Sequence, residues 1–163
     1  MRARAILLTG PVGSGKTTTL YELDALLEER AEPFALVDLD WLCWARLPSG
    51  IARHALLAEN LAAVWQTYRR AGVGRLVAAR ALPDPAELTA VGAALADCDL
   101  VTVKLEVPRD ELVRRIRWRD TGAELEEHLA LLAAPEQEID AVAVVATRPP
   151  REVALAVLAA AGW

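Results

Sequence analysis

Phenylalanine occurs once in this chain, methionine once, and tyrosine, histidine and cysteine twice each. Each scarcity excludes something. Two cysteines, Cys43 and Cys98, cannot build a disulfide framework, so a reducing cytoplasm is the expected compartment. The two histidines, His54 and His128, stand alone without ligand spacing, so no metal site is indicated beyond a magnesium ion accompanying a nucleotide. Lysine appears only at Lys16 and Lys104, and the formal net charge is −5. Polyanion binding needs clustered excess positive charge, so no nucleic-acid partner is expected. No run approaches the roughly 20 apolar residues that span a bilayer, so no membrane partner is expected either. The first apolar run, Ala5 to Thr9, is too short for a signal peptide. Val153 to Trp163 reads as a buried helix.

What remains is globular. The 163 residues are 54% hydrophobic and 25% charged, which excludes general disorder and suits a single domain over residues 1–163. Alanine supplies about a fifth of the residues, so the core is poorer in buried area than the percentage suggests. Short apolar runs alternate with helical patterns five times. Strands are expected at Ala5–Thr9, Phe34–Asp38, Arg75–Ala79, Leu100–Leu105 and Ala141–Val145. Helices are expected at Lys16–Arg30, Ala52–Ala71, Pro85–Ala96, Arg109–Arg119, Glu124–Ala134 and Pro150–Ala161, with Asp40–Ile51 irregular or a short helix. The strands are continuously apolar, which predicts an open parallel sheet covered by helices on both faces. That is a three-layer α/β/α fold with its ligand loops beyond the strand C-termini.

The loop after the first strand carries the sharpest signal. Gly10-Pro11-Val12-Gly13-Ser14-Gly15-Lys16-Thr17 matches G-x-x-x-x-G-K-[ST]. Glycines let successive backbone N–H groups curl around a phosphate, and the following helix adds its positive end. Gly10, Gly13, Ser14, Gly15, Lys16, Thr17 and Thr18 are therefore candidates for holding a nucleotide. Lys16 would place a charge on the β- and γ-phosphates, and the Thr17 hydroxyl would meet Mg²⁺. A chance match in this length is roughly one in two hundred, and the strand-then-helix context lowers the chance further.

With this motif the sequence resembles the P-loop NTPase superfamily, and within it the small kinases of the gluconate, shikimate and adenylylsulfate type. The resemblance implies a five-stranded sheet ordered 2-3-1-4-5, ATP on the first loop, and an acceptor between the ends of the second and third strands. It also implies a short lid around residues 115–127.

Asp38-Leu39-Asp40 closes the second strand. Residues two apart on a strand point the same way, so both carboxylates are expected to face the cleft. A kinase needs one carboxylate to take or orient the acceptor hydroxyl and often another near the magnesium. Asp38 is read as base or magnesium-shell ligand and Asp40 as acceptor contact, with the order open. The alternative is that Asp40 caps the next helix. Similar Asp-x-Asp pairs occur here in adenylylsulfate-kinase-like and zeta-toxin-like members. No carboxylate ends the third strand, where Arg80 stands as either a substrate anchor or a solvated strand end.

Arg114, Arg115, Arg117 and Arg119 crowd one helix, with Arg115 and Arg119 on one face. The resemblance implies that such arginines close over the transferring phosphate, with Gly122 as hinge. A solvated face balanced by Glu124, Glu126 and Glu127 is the alternative. Arg148, after the fifth strand, is a candidate for stacking on adenine. Trp41 and Trp44 either wall the acceptor site or fill the core, as Trp65 can. Trp118 and Trp163 are read as packing residues and Cys43 as a small buried hydrophobe. The expected activity is ATP-dependent phosphoryl transfer to a small hydroxyl- or phosphate-bearing metabolite. The alternative is a regulatory or accessory ATPase module with a protein partner. No guanine-reading Asn-Lys-x-Asp pattern is present.

Overall fold

In the computed structural model, which describes residues 2–81, 84–134 and 138–163, five parallel strands form one sheet. The strands are β1 (Ala3–Thr9), β2 (Phe34–Asp38), β3 (Arg75–Ala79), β4 (Cys98–Glu106) and β5 (Val142–Val145), in the order 2-3-1-4-5. The helices are α1 (Lys16–Glu28), α2 (Leu39–Leu42), α3 (Arg53–Arg70), α4 (Pro85–Ala94), α5 (Arg109–Arg119), α6 (Gly122–Ala133) and α7 (Pro150–Ala160). None of them is long and apolar enough to cross a membrane.

The layers follow from the two-residue period of a strand. Along β1, Ala3, Ala5 and Leu7 face one core with Leu57, Leu61 and Trp65 of α3 and Val91 of α4. Ile6 and Leu8 face the other, with Leu20, Leu23, Leu26 and Leu27 of α1 and Val153, Val157 and Leu158 of α7. The central strand is thus buried on both sides. Its register is Ala5 opposite Leu76 of β3 and Leu100 of β4.

Two boundaries moved for identifiable reasons. Helix α1 ends before Arg30 because the chain turns through Ala31 in the left-handed region, φ +54°. Strand β4 starts two residues earlier than the apolar pattern suggests, because pairing with β1 extends to Cys98 and Asp99. Helices cover both faces of the sheet, and the edge strand β5 is its least covered part. There Val142 and Val145 are exposed, while Val144 is buried in the core under α1 and α7. The chain ends are tied together instead. Arg4 donates to the carbonyls of Ala161 (2.6 Å) and Gly162 (2.9 Å) at the end of α7, and Trp163 lies under the guanidinium groups of Arg4 and Arg75. Trp163 is the packing residue expected of it.

Trp65 anchors the α3 layer, 1% exposed, with its indole N–H directed to Asp97 Oδ1 at 3.3 Å. Truncating a buried aromatic leaves a cavity the layer cannot close. Trp65→Ala should lower unfolding free energy by about 3–5 kcal/mol, read from urea midpoints at constant m. A loss under about 1 kcal/mol would show that α3 repacks freely.

Candidate functional site

Strand β1 lies between β3 and β4, so the loop leaving it opens where the chain order reverses across the sheet. That loop is held by backbone proximity. Gly10 sits at φ +144°, and a Cβ there would lie 2.8 Å from the Leu105 carbonyl oxygen of β4. Gly13 (φ +82°) and Gly15 (φ +95°) continue the curl, and the Ser14 N–H donates to the Pro11 carbonyl at 3.1 Å. The Ser14 hydroxyl is buried and has no partner among the described residues. Gly15 caps α1 without any side-chain bond, so the first-turn amides keep their donors free for an anion. Thr17 and Thr18 are exposed on that first turn. An orphaned hydroxyl, a glycine cradle and a bare helix start fit a phosphate chain with its magnesium ion.

Lys16 completes the loop by turning back on it. Its ammonium donates to the carbonyls of Gly10 (2.9 Å) and Pro11 (3.0 Å). Burial lowers its pKa to about 8, helped by the charge of Arg119 and opposed by Asp40 and Asp38. The charges of Asp40, Asp38 and Arg119 are thus felt at Lys16.

The aspartates differ from their expected arrangement. The strand ends at Asp38, and Asp40 stands in the first turn of α2, so they do not share a strand face. The helix cap is Asp38, whose Oδ1 accepts from the Asp40 N–H at 3.0 Å. Burial raises the Asp38 pKa above the ordinary range, with the Asp40 N–H working the other way. Asp40 is exposed and pairs with Arg80 at 2.6 Å.

Arg80 is not the solvated strand end that was one of its two expected roles. Its side chain is 11% exposed, and its fork lies on Glu87 at 3.1 and 3.2 Å as well as on Asp40. Burial is the largest single influence and works against its charge, but the Glu87 bonds and the charges of Glu87, Cys43 and Asp40 together raise its pKa. Glu87 was missed by sequence reasoning. It is a buried carboxylate in the first turn of α4, a helix whose N-cap Asp84 accepts from the Ala86 N–H at 2.8 Å. Cys43 is buried, as expected, with its sulfur 3.2 Å from Arg80.

On the other side of the loop, Arg115 reaches from α5 to the Gly13 carbonyl (3.3 Å) and the Ala146 carbonyl (3.1 Å), oriented by Glu111 at 2.8 Å. Arg114 is exposed and grips Glu111 as well. Acid partners for these arginines thus come from Glu111 and Asp120 instead of the glutamates of α6. A cavity of about 580 Å³ opens beside Gly15 and Thr18 and is lined by Arg115, Trp118, Arg119 and Arg148. Trp118 is no packing residue: it is 89% exposed, at the rim of this cavity. A larger cavity of about 840 Å³ lies between Gly10–Val12, the end of β4 and the end of α6, among mostly apolar groups. It contains neither Asp38 nor Asp40.

His128 is not isolated. Its Nδ1 lies 2.7 Å from Asp120 Oδ2, and Arg119 also grips Asp120, at 2.9 Å through one nitrogen. Arg119 chiefly, and then His128, hold the Asp120 pKa down to about 2. Glu124 completes a group of three donors within 4.8 Å of one another. Glu124 and His128, four apart on α6, were the overlooked signal, and Asp120 meets them from the end of α5. Both Asp120 oxygens are already engaged, one by Arg119 and one by Arg119 and His128, which joins the end of α5 to α6.

No family model matches the chain, and no curated protein matches it in sequence. Solved structures do. An adenylylsulfate (APS) kinase from Mycobacterium tuberculosis, in complex with AMPPNP and APS, aligns with a TM-score of 0.70 and 21% identity over 99% of both chains. A sugar kinase from a Janibacter species aligns at 0.65 and 19%, covering 97% of this chain and 94% of that one. Kti12 from Chaetomium thermophilum, in complex with ADP-AlF3, aligns at 0.58 and 18%, covering 96% and 98%. The chain has the small P-loop kinase fold.

The depressed pKa of Lys16 generates a test. Above about pH 8 the free protein holds Lys16 largely neutral, whereas a bound phosphate favours the charged form. Nucleotide binding at pH 8.5 should therefore take up a substantial fraction of a proton, and affinity should fall as pH rises through 8. Calorimetry in two buffers of different ionisation enthalpy measures the uptake. No uptake at pH 8.5 would place the Lys16 pKa well above 8.

Proposed function

We propose that the protein is an ATP-dependent phosphotransferase acting on a small acceptor. The observation that carries this reading is the glycine cradle, with Lys16 held on the Gly10 and Pro11 carbonyls, the Ser14 hydroxyl without a partner among the described residues and the start of α1 uncapped by any side chain. Asp38 and Asp40, at the end of the neighbouring β2, add the carboxylates that a transfer reaction needs. Similarity of fold to a sugar kinase and an APS kinase supports the reading without naming the acceptor.

In this reading the loop amides, Ser14 and Lys16 bind the phosphates of ATP. Thr17 would hold Mg²⁺, with the charge of Asp38 on its water shell; the ion supplies charge neutralisation at the phosphates. Lys16 exchanges neutral carbonyl oxygens for phosphate oxygens, so no ion pair has to break first. Asp38 is the better base. It is half-buried with a raised pKa, whereas Asp40 is spent on Arg80. The acceptor hydroxyl oxygen bonds to the γ-phosphorus, the bond from that phosphorus to the bridging oxygen breaks, ADP leaves, and the hydroxyl proton passes to Asp38. Arg115 positions the loop through the Gly13 carbonyl, and Arg119 adds positive charge at the phosphates. Trp118 and Arg148 flank the base of the nucleotide in the 580 Å³ cavity.

The test is phosphoryl transfer from γ-labelled ATP into a metabolite pool. Lys16→Ala and Asp38→Asn should each cut kcat by about 10² or more, with Asp38→Asn leaving the KM for ATP nearly unchanged. Trp118→Ala should raise the KM for ATP by about tenfold. Label released only as inorganic phosphate would favour the accessory ATPase reading, to which the absence of a carboxylate at the end of β3 lends some support.

A further inference from the structure

Trp41 and Trp44 do not fill the core. They are 69% and 75% exposed, and their rings lie in a tilted contact, 4.9 Å between centroids at an interplanar angle of 40°. In a chain with one phenylalanine, two solvent-facing indoles on adjoining turns form a sizeable uncovered apolar surface. Their backbone is pinned from α3. Arg53 donates to the Cys43 carbonyl at 2.6 Å, and Asn60 donates to the Leu42 carbonyl at 2.6 Å. Cys43, between the two tryptophans, is buried against Arg80. The pair is therefore a platform fixed beside Asp40, and its exposure is built in.

The charges around this platform restrict what can lie on it. Three carboxylates, Asp38, Asp40 and Glu87, gather here, and Arg80 is already committed to Asp40 and Glu87. Lys16 is turned to the glycine-rich loop and Arg53 to backbone carbonyls. Arg46, exposed two residues past Trp44, is the guanidinium an anionic acceptor would have to use. Indole faces are negative and prefer C–H-bearing or cationic faces. Ionised carboxylates accept only, so they select hydroxyl and ammonium donors.

Resting on the phosphotransferase reading, we infer that the acceptor is an uncharged or cationic polyhydroxylated ring, a sugar or amino sugar, that stacks on Trp41 and Trp44 and presents its hydroxyls to Asp38 and Asp40. A carboxylate, phosphate or sulfate acceptor would instead meet Asp38 and Asp40 with Arg80 already paired, leaving only Arg46 to oppose their charge.

A metabolite extract divided by anion exchange tests the class. Label from γ-labelled ATP should enter a product made from the unretained, neutral and cationic fraction. Saturation-transfer difference NMR on the same fraction, with unlabelled protein, reads binding without turnover. Ring C–H signals should appear with the wild type and vanish with the Trp41→Ala/Trp44→Ala double variant. For the acceptor so identified, the double variant should raise KM by about tenfold or more while kcat and the KM for ATP change less than about threefold. Trp41→Phe with Trp44→Phe should recover part of the loss. An acceptor found only in the retained fraction overturns the inference and leaves the kinase reading standing. Tryptophan-dependent binding without any transfer keeps the ring site and overturns the kinase reading. Absence of binding signals from the unretained fraction, signals unchanged in the double variant, or a dimer that Trp41→Ala dissociates would each overturn the ring site.

Discussion

The cleft depends on how closely the end of β1 approaches β4. At Gly10 a side chain of even one carbon would stand 2.8 Å from the Leu105 carbonyl, with φ at +144°. Only glycine lets the chain leave a strand buried on both faces and turn at once into a loop of inward amides. The next two positive-φ glycines finish the turn, and α1 then starts at Lys16 with its first amides unclaimed. The lysine finds the carbonyls of Gly10 and Pro11 because the same turn points them inward. Sheet packing, loop curvature and lysine position are thus one constraint seen at three scales.

Charge follows the same economy. Arg80, Arg115 and Arg119 each have a carboxylate partner that fixes the guanidinium in place. Lys16 has neutral carbonyl oxygens instead. At the glycine-rich loop the positive charge thus sits on neutral oxygens, while the paired arginines beside it set geometry. A site arranged in this way needs little reorganisation when an anion arrives. The partial neutrality of Lys16 near pH 8 is the measure of how strongly burial disfavours that charge.

The layers and the loop were legible in the sequence because both rest on short-range rules. Apolar runs such as Phe34–Asp38 and Arg75–Ala79 matched their strands to the residue, and glycine spacing located the loop. The side chains around the cleft were less legible. Asp38 and Asp40 were separated by a helix that starts one residue after the strand, a boundary no periodicity marks. Arg80 looked free because its partner Glu87 comes from the next helix, and the bond between them exists only once α4 folds back. Trp118 carries the same local apolar signal as Trp65, yet one rims a cavity and the other is core. The face on which a residue falls, and what covers that face, are tertiary facts.

The contrast between the sheet and α6 shows how the two kinds of cohesion divide the molecule. Strand β1 and its flanking helices are held by two apolar cores. Helix α6 buries none of its side chains. Its bond to α5 runs through His128 and Asp120 to Arg119. Burial is indifferent to ligand charge, whereas an ion-pair joint is not. Arg119 also adds to the lowering of the Lys16 pKa, after burial. The attachment of α6 therefore depends on polar contacts at one end of α5, while the scaffold beneath is held by its apolar cores.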